Sequence, residues 1–245
     1  MFAVDGYTGP LYKYDVCKMY AAILKSSNFM IPIKRGEFKQ LADDDIKPPP
    51  FGIYRATIIG EHRAFKTNKH NYYTSYDLAL ATELGLTYSL KIDNKPNALL
   101  YGPECRIYSV TLFGQYIDQV LGWIKAGVPR SKELYQRLWG ALSKRNKIKK
   151  HIKSISEEQS TATYDVKLPD NFIIDKITPT ANGNVMVKGV SNTDMFDTPW
   201  ARIMPFIISR GRKMIGTIIK DDIDCVMRAH TDGWCMTKPW KQSSL

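Results

Sequence analysis

Two carboxylates stand out by their settings. Asp15 ends the β-like stretch Tyr12-Lys13-Tyr14-Asp15, and Asp232 sits in the abrupt polar turn His230-Thr231-Asp232-Gly233 between two apolar runs. Acids brought from distant strands to one point commonly hold Mg²⁺ against a phosphate. The competing reading is that both residues merely end strands and share no task. A second group suits anions and bases. Lys132, Gln136 and Gly140 recur at i, i+4 and i+8, so a helix would put them on one face, and a glycine there lets a backbone or a base approach closely. Lys125 and Arg130 flank the corner before that helix, where their charge could reach the same phosphates. The run Lys144 to Lys153, with Arg145, Lys147, Lys149 and Lys150 inside it, forms a cationic arm suited to a phosphate backbone. Its bland alternative is a solvated face.

The elements that must position these groups follow from pattern and punctuation. A strand over Leu11–Val16 leads into a helix-compatible stretch, Met19–Leu24, so Asp15 lies near a strand end. After a polar segment from Lys34 to Lys47 and three prolines, Phe51–Ile59 reads as a strand. His62 to His70 is a basic loop. Ser75 is placed to cap a helix from Tyr76 to Leu84, stopped by Gly85, with strands at Thr87–Ile92 and Ala98–Tyr101. From Val110 the apolar residues Leu112, Tyr116, Ile117, Val120, Leu121 and Ile124 follow a helical period up to Gly127 and Pro129. A second helix starts at Ser131, with Leu134, Leu138 and Leu142 as its apolar side, which completes a helical hairpin. A polar loop is expected over Ser154–Thr163. Tyr164–Leu168, Phe172–Ile177 and Asn184–Val190 read as strands, the last two joined through Asn182-Gly183. Pro205 opens a helix to Ile219, weakened at Gly211, and Cys225–Ala229 is the strand entering the Asp232 turn.

Composition narrows the class. The 245 residues, 44% hydrophobic, can bury a sizeable core. Lys and Arg total 35 against 24 acids, a formal charge of +11, which favours a polyanionic partner. Cys17, Cys105, Cys225 and Cys235 form no Cys-x-x-Cys pair and are expected to be reduced core residues of an intracellular protein. The apolar run Phe206–Ile219 is too short for a bilayer and is broken by Arg210, Arg212 and Lys213, so no membrane span is expected.

Taken in order, three stretches resemble the signatures of family B DNA polymerases, most closely the protein-primed phage and plasmid branch. Asp15-Val16-Cys17-Lys18-Met19-Tyr20 looks like the first motif, Asp-x-x-Ser-Leu-Tyr-Pro; Lys18, Met19 and Ala21 depart from it. Lys132-x-x-x-Gln136-x-x-Trp139-Gly140 is similar to the finger-helix motif Lys-x-x-x-Asn-x-x-Tyr-Gly. Arg228-Ala229-His230-Thr231-Asp232-Gly233 resembles Tyr-x-Asp-Thr-Asp-Ser, with His230 where the first acid stands. The resemblance implies that Asp15, Asp232 and the Val16 carbonyl hold Mg²⁺, with His230 a further candidate ligand that would favour Mn²⁺. It implies that Tyr20 lies under the incoming sugar and excludes a 2′-hydroxyl. Lys132 would contact the triphosphate, and Trp139 would pack at the nascent base pair.

The implied fold is α+β: a polymerase palm of antiparallel sheet with packed helices, a helical-hairpin fingers element and an inserted α/β subdomain. The expected divisions are 1–26 for the first motif, 27–105 for the insertion with a strand-helix-strand unit, 106–153 for fingers and basic arm, and 154–245 for a β-hairpin, palm helix and palm hairpin. The expected function is template-directed nucleotidyl transfer from dNTP onto primer-template DNA. The alternative is a catalytically degenerate nucleic-acid-binding or structural subunit of a larger assembly. It is supported by His230, Gln136 and Trp139, and by the little sequence before Asp15 and after Asp232 for an exonuclease or a thumb. A second chain supplying those parts is a third expectation, as is an intracellular setting of viral, plasmid or organellar origin.

Overall fold

The computed structural model describes residues 2–42, 48–153 and 164–240, so the expected loop over Ser154–Thr163 lies outside the described residues. In chain order the elements begin β1 (Tyr12–Asp15), α1 (Met19–Leu24), β2 (Met30–Pro32), β3 (Glu37–Lys39), β4 (Gly52–Ile59), β5 (Tyr72–Thr74), α2 (Ser75–Glu83), β6 (Thr87–Leu90), β7 (Ala98–Leu100) and β8 (Arg106–Tyr108). They continue with α3 (Ser109–Lys125), α4 (Ser131–Leu142), β9 (Lys147–Ile152), β10 (Phe172–Pro179), β11 (Val185–Ser191), α5 (Met204–Ile219), β12 (Val226–His230) and β13 (Gly233–Met236). Every strand pair is antiparallel among the described residues, and the fold class is α+β. The chain divides into two compact units, 1–137 with 202–245, and 138–201.

The first unit is built around α5. Its Pro205 lies in the first turn, where a missing N–H costs nothing. Phe206 is fully buried and stacks on Phe51 with ring centroids 4.4 Å apart, while Tyr101 meets it edge-on at 5.8 Å. Burying one such ring contributes about 2 kcal/mol. Gly211, expected to weaken the helix, is instead a point of close approach: a Cβ there would lie 3.1 Å from Met19 Cε of α1. At Gly216 a Cβ would come 2.9 Å from Leu80 Cδ1 of α2. Ser109 Oγ at the start of α3 donates to the Leu24 carbonyl at 2.7 Å and ties α3 to the end of α1.

The sheets of this unit are β1-β13-β12, the pair β2-β8, and β3-β7-β4-β5 with β6 on β4. Helix α2 is capped one residue earlier than its sequence suggests. Thr74 takes the cap in place of Ser75, because its hydroxyl accepts from Asp77 N while Asp77 Oδ2 accepts from Thr74 N at 3.0 Å.

In the second unit β11 is central, between β10 and β9. The cationic run, expected as an arm extending from the helix, forms edge strand β9, paired to β11 from Val185↔Ile152 to Val190↔Lys147. Ile148 and Ile152 share the face of the buried Val185 and Val187, and an edge strand tolerates lysines that would oppose a further strand. Tyr164–Leu168 is not a strand: its residues have no ladder partner, Tyr164 donating its hydroxyl to the Gly183 carbonyl and Lys167 offering its carbonyl to Lys150 Nζ. The β10–β11 hairpin forms as expected, with Gly183 at φ +74° in the turn. The cysteines are free, but Cys17 is exposed and the other three are only half-buried, so they are not core residues.

No helix among the described residues is long and apolar enough to cross a membrane.

Candidate active site

The period of two in β-strands decides the chemistry of the β1-β13-β12 sheet. On one face lie the cross-strand rows Tyr14–Trp234–Ala229 and Tyr12–Met236–Val226. Trp234, Met236, Ala229 and Val226 are all buried, so this face belongs to the core. The opposite face carries Lys13–Cys235–Arg228 and then Asp15–Gly233–His230. The middle of the second row is a glycine, between an acid and an imidazole, where the neighbouring strand approaches too closely for a side chain. A Cβ at Gly233 would lie 3.2 Å from Asp15 Oδ1 and 2.9 Å from the Tyr14 carbonyl oxygen.

Asp232 joins this face from the turn between β12 and β13. Its carbonyl accepts from Val16 N at 2.8 Å, which fastens the turn to the end of β1 one residue beyond Asp15. Thr231 holds the turn at φ +53°, uncommon for a β-branched residue, and Lys18 at φ +56° turns the chain from Asp15 into α1. The result is an open cleft of about 360 Å³ lined by Lys13, Asp15, Arg228, His230, Asp232, Gly233, Trp234 and Cys235. Two acids separated by more than 200 positions in sequence thus line one depression.

Two tyrosine hydroxyls feel the Asp232 carboxylate. The Tyr20 phenol is pushed up by burial and then by the Asp232 carboxylate, with Arg212 opposing. Tyr135 of α4 is pushed up by burial, then by Cys17 and Asp232. Tyr135 escapes a reading from sequence because the leucine spacing points to Leu134, Leu138 and Leu142 as the apolar side of α4. Leu134 is 44% exposed, whereas Tyr135 and Ser131, one turn apart, are the buried edge. A large aromatic among leucines carries no local mark of which side it will take.

The remaining expected residues divide. Lys132, Gln136 and Gly140 are all exposed along α4, and Lys125 is exposed at the end of α3. Arg130, at φ +62° in the corner, is committed to Glu133 through two hydrogen bonds of 3.2 Å, and Arg137 adds a further ion pair at 2.9 Å. An exposed pair of this kind contributes little and yields readily to a stronger anion. The Trp139 side chain lies outside the described residues. Lys144 pairs with Asp197 at 2.9 Å; Arg145 forms an isolated bridge to Phe196; Lys153 is exposed.

The second unit has its own basic surface. The register sets Lys176, Lys188 and Lys149 directly opposite one another across β10, β11 and β9, with Lys147 and His151 on the same face of β9. None of these four lysines has an ion-pair partner among the described residues. Like charges directly opposite are destabilising. Lys150 lies on the other face and donates to the Lys167 carbonyl.

As a metal site the cleft is lean. No group of three or more His, Cys, Asp or Glu residues is placed to hold an ion among the described residues. Mg²⁺ in nucleotide enzymes nevertheless takes one or two protein carboxylates and completes its shell with phosphate and water, so two hard oxygen donors in an open cleft fit that chemistry. His230 is exposed, with Nδ1 3.0 Å from Thr231 Oγ1.

No protein-family profile and no curated protein sequence matches the chain. Solved structures do. The chain is similar to Phi29 DNA polymerase complexed with primer-template DNA and incoming nucleotide substrates, with a TM-score of 0.59 and 14% identity, over 98% of this chain and 42% of that one. The orthorhombic crystal form of the same polymerase gives a TM-score of 0.56 and 16% identity over 98% and 41%. Its complex with single-stranded DNA gives 0.56 and 15% over the same shares. The chain spans about two-fifths of the length of the polymerase it matches, and what the two share is a polymerase-like fold.

Proposed function

We propose that this chain is the palm-and-fingers core of a DNA polymerase that transfers nucleotides from dNTP to a primer 3′ end. The observation that carries the reading is the cleft that Asp15 and Asp232 line together, on a fold shared with a polymerase. The primer 3′-oxygen bonds to the α-phosphorus of the dNTP, the bond from that phosphorus to the bridging oxygen breaks, pyrophosphate leaves, and the hydroxyl proton passes to solvent. Asp15 and Asp232, with the Val16 carbonyl, would hold Mg²⁺ or Mn²⁺. The bound ion supplies Lewis-acid charge neutralisation at the phosphates.

The chain's own groups do the rest. Lys132, aided by Lys125 and by an Arg130 released from Glu133, steadies the triphosphate. Tyr20 bounds the sugar, and Gln136, Trp139 and Gly140 lie along the helix that meets the nascent pair. Lys147, Lys149, Lys176 and Lys188 offer a DNA backbone one sheet face, which gives their mutual repulsion a counter-charge.

A second reading, a polymerase-like subunit that binds DNA without catalysis, is favoured by one observation. His230 and the cations Lys13 and Arg228 line the cleft where a third acid would strengthen ion binding. Primer extension with Mg²⁺ and then Mn²⁺ separates the two. The polymerase reading expects extension by the native chain and its loss in Asp232→Asn with DNA binding retained. Equal extension by that variant removes Asp232 from the site, and no extension by the native chain with either ion favours the binding subunit.

A further inference from the structure

Asp77, in the first turn of α2, is only 5% exposed. A carboxylate that deep must be paired and hydrogen-bonded. Its Oδ2 accepts from the Thr74 backbone N–H and hydroxyl, both at 3.0 Å, and its Oδ1 accepts from Arg212 Nε at 3.2 Å and Nη2 at 2.9 Å. The Thr74 and Ser209 hydroxyls meet at 2.6 Å, so α2 and α5 are joined at this point twice. One oxygen of Asp77 is fixed by the helix cap and the other fixes a planar guanidinium. Arg212 therefore has little freedom.

The residue before Arg212 is the one on which Tyr20 rests. A Cβ at Gly211 would lie 3.6 Å from both Cε1 and the hydroxyl of Tyr20, so the phenol packs on the bare backbone of α5. Its pKa is raised by burial and by Asp232 and lowered by Arg212, as expected of a hydroxyl lying in the field of both groups. An ion pair with no place in the proposed chemistry thus fixes the residue of α5 next to the glycine on which Tyr20 packs.

We propose that Arg212, pinned by Asp77, is a positioning residue for Tyr20: it holds the phenol on Gly211 and sets how strictly the site rejects a ribonucleotide. The sugar-selecting half rests on the polymerase reading; the anchoring half does not. Arg212→Leu removes the guanidinium. Asp77→Asn is the gentler variant, because its amide oxygen can keep the Thr74 bonds while its NH₂ turns toward Arg212 and releases it. Two readouts are taken on each.

In the first, the protein carries 3-fluorotyrosine, whose phenol titrates lower than that of tyrosine, and the Tyr20 ¹⁹F resonance is assigned with Tyr20→Phe. The Tyr20 midpoint rises in both variants, because the cation favouring the phenolate is lost or displaced. In the second, the kcat/KM ratio for dNTP over rNTP in primer extension falls about tenfold in both, with no further fall when either is combined with Tyr20→Ala. A merely structural pair would lower activity on both substrates and leave the ratio unmoved. A Tyr20 resonance unchanged in both variants overturns the inference, as does a ratio that falls equally in the Tyr20→Ala background. A Tyr20 resonance that moves while the native chain extends no primer supports the anchor and overturns the polymerase reading alone.

Discussion

Gly233→Ala puts a methyl group at the centre of the proposed site. The added Cβ would lie 2.9 Å from the Tyr14 carbonyl oxygen and 3.2 Å from Asp15 Oδ1. The Tyr14 oxygen belongs to backbone held by the β1–β13 ladder, so it cannot swing away, and relief requires β1 to shift or the pairing Asp15↔Gly233 to open. Overpacking of this kind costs about 1–3 kcal/mol. Replacing glycine in a strand returns about 0.5–1 kcal/mol through the unfolded chain. The expected net loss is about 1–2 kcal/mol, or roughly 3–6 °C in Tm for a chain of this size. Displacing a reacting group by even part of an ångström is costly, so primer extension should fall by on the order of 10²-fold while DNA binding persists. The control is Gly122→Ala in α3, where a Cβ meets nothing within 4 Å. It should raise stability by about 0.5–1 kcal/mol and leave extension unchanged. A Gly233→Ala protein that melts at or above the native temperature and extends primers normally would refute the crowding argument.

Two other expectations rest on charge. Burial alone pushes the Glu83 carboxyl up, but hydrogen bonds from Lys213, Lys220 and Thr217 hold it down at about 2, against an ordinary 4.5. A depressed carboxylate contributes stability above its unfolded value and loses it as pH falls toward the folded one, so thermal melts from pH 6 down to pH 2 should show a steeper acid loss in the native chain than in Glu83→Gln. Full conversion of the shift gives about 3 kcal/mol; solvent screening reduces the expected difference at pH 7 to about 1–2 kcal/mol, and parallel melting curves would contradict it. Replacing Lys147, Lys149, Lys176 and Lys188 together by Gln should weaken DNA binding uniformly across sequences and lower the salt-dependence slope by about one for each phosphate that is no longer neutralised. An unchanged slope removes that sheet face from the DNA path.

Local pattern made much of this legible. The apolar runs of β12 and β13, the period of α3 and the Pro205 start of α5 are written in neighbouring residues, and Asp15 and Asp232 could be singled out because one ends a β-like stretch and the other lies in a polar turn between two apolar runs. Features set by distant partners were not legible. Strands β2, β5 and β8 are three residues each and exist only through pairings such as Met30↔Tyr108. Thr74 outcompetes Ser75 as a cap because Asp77, which answers it, is itself held by Arg212, 135 positions later. The basic run forms a strand because β11 offers an apolar ladder. Tyr135 is buried where the leucine spacing pointed to Leu134, which is exposed.

The most direct test of the central claim is Mn²⁺ binding in the presence of a dNTP, followed by electron paramagnetic resonance, for the native chain, Asp15→Asn and Asp232→Asn. The cleft they share predicts nucleotide-dependent ion binding that is lost in each single variant. Ion affinity unchanged in both would show that Asp15 and Asp232 do not act together.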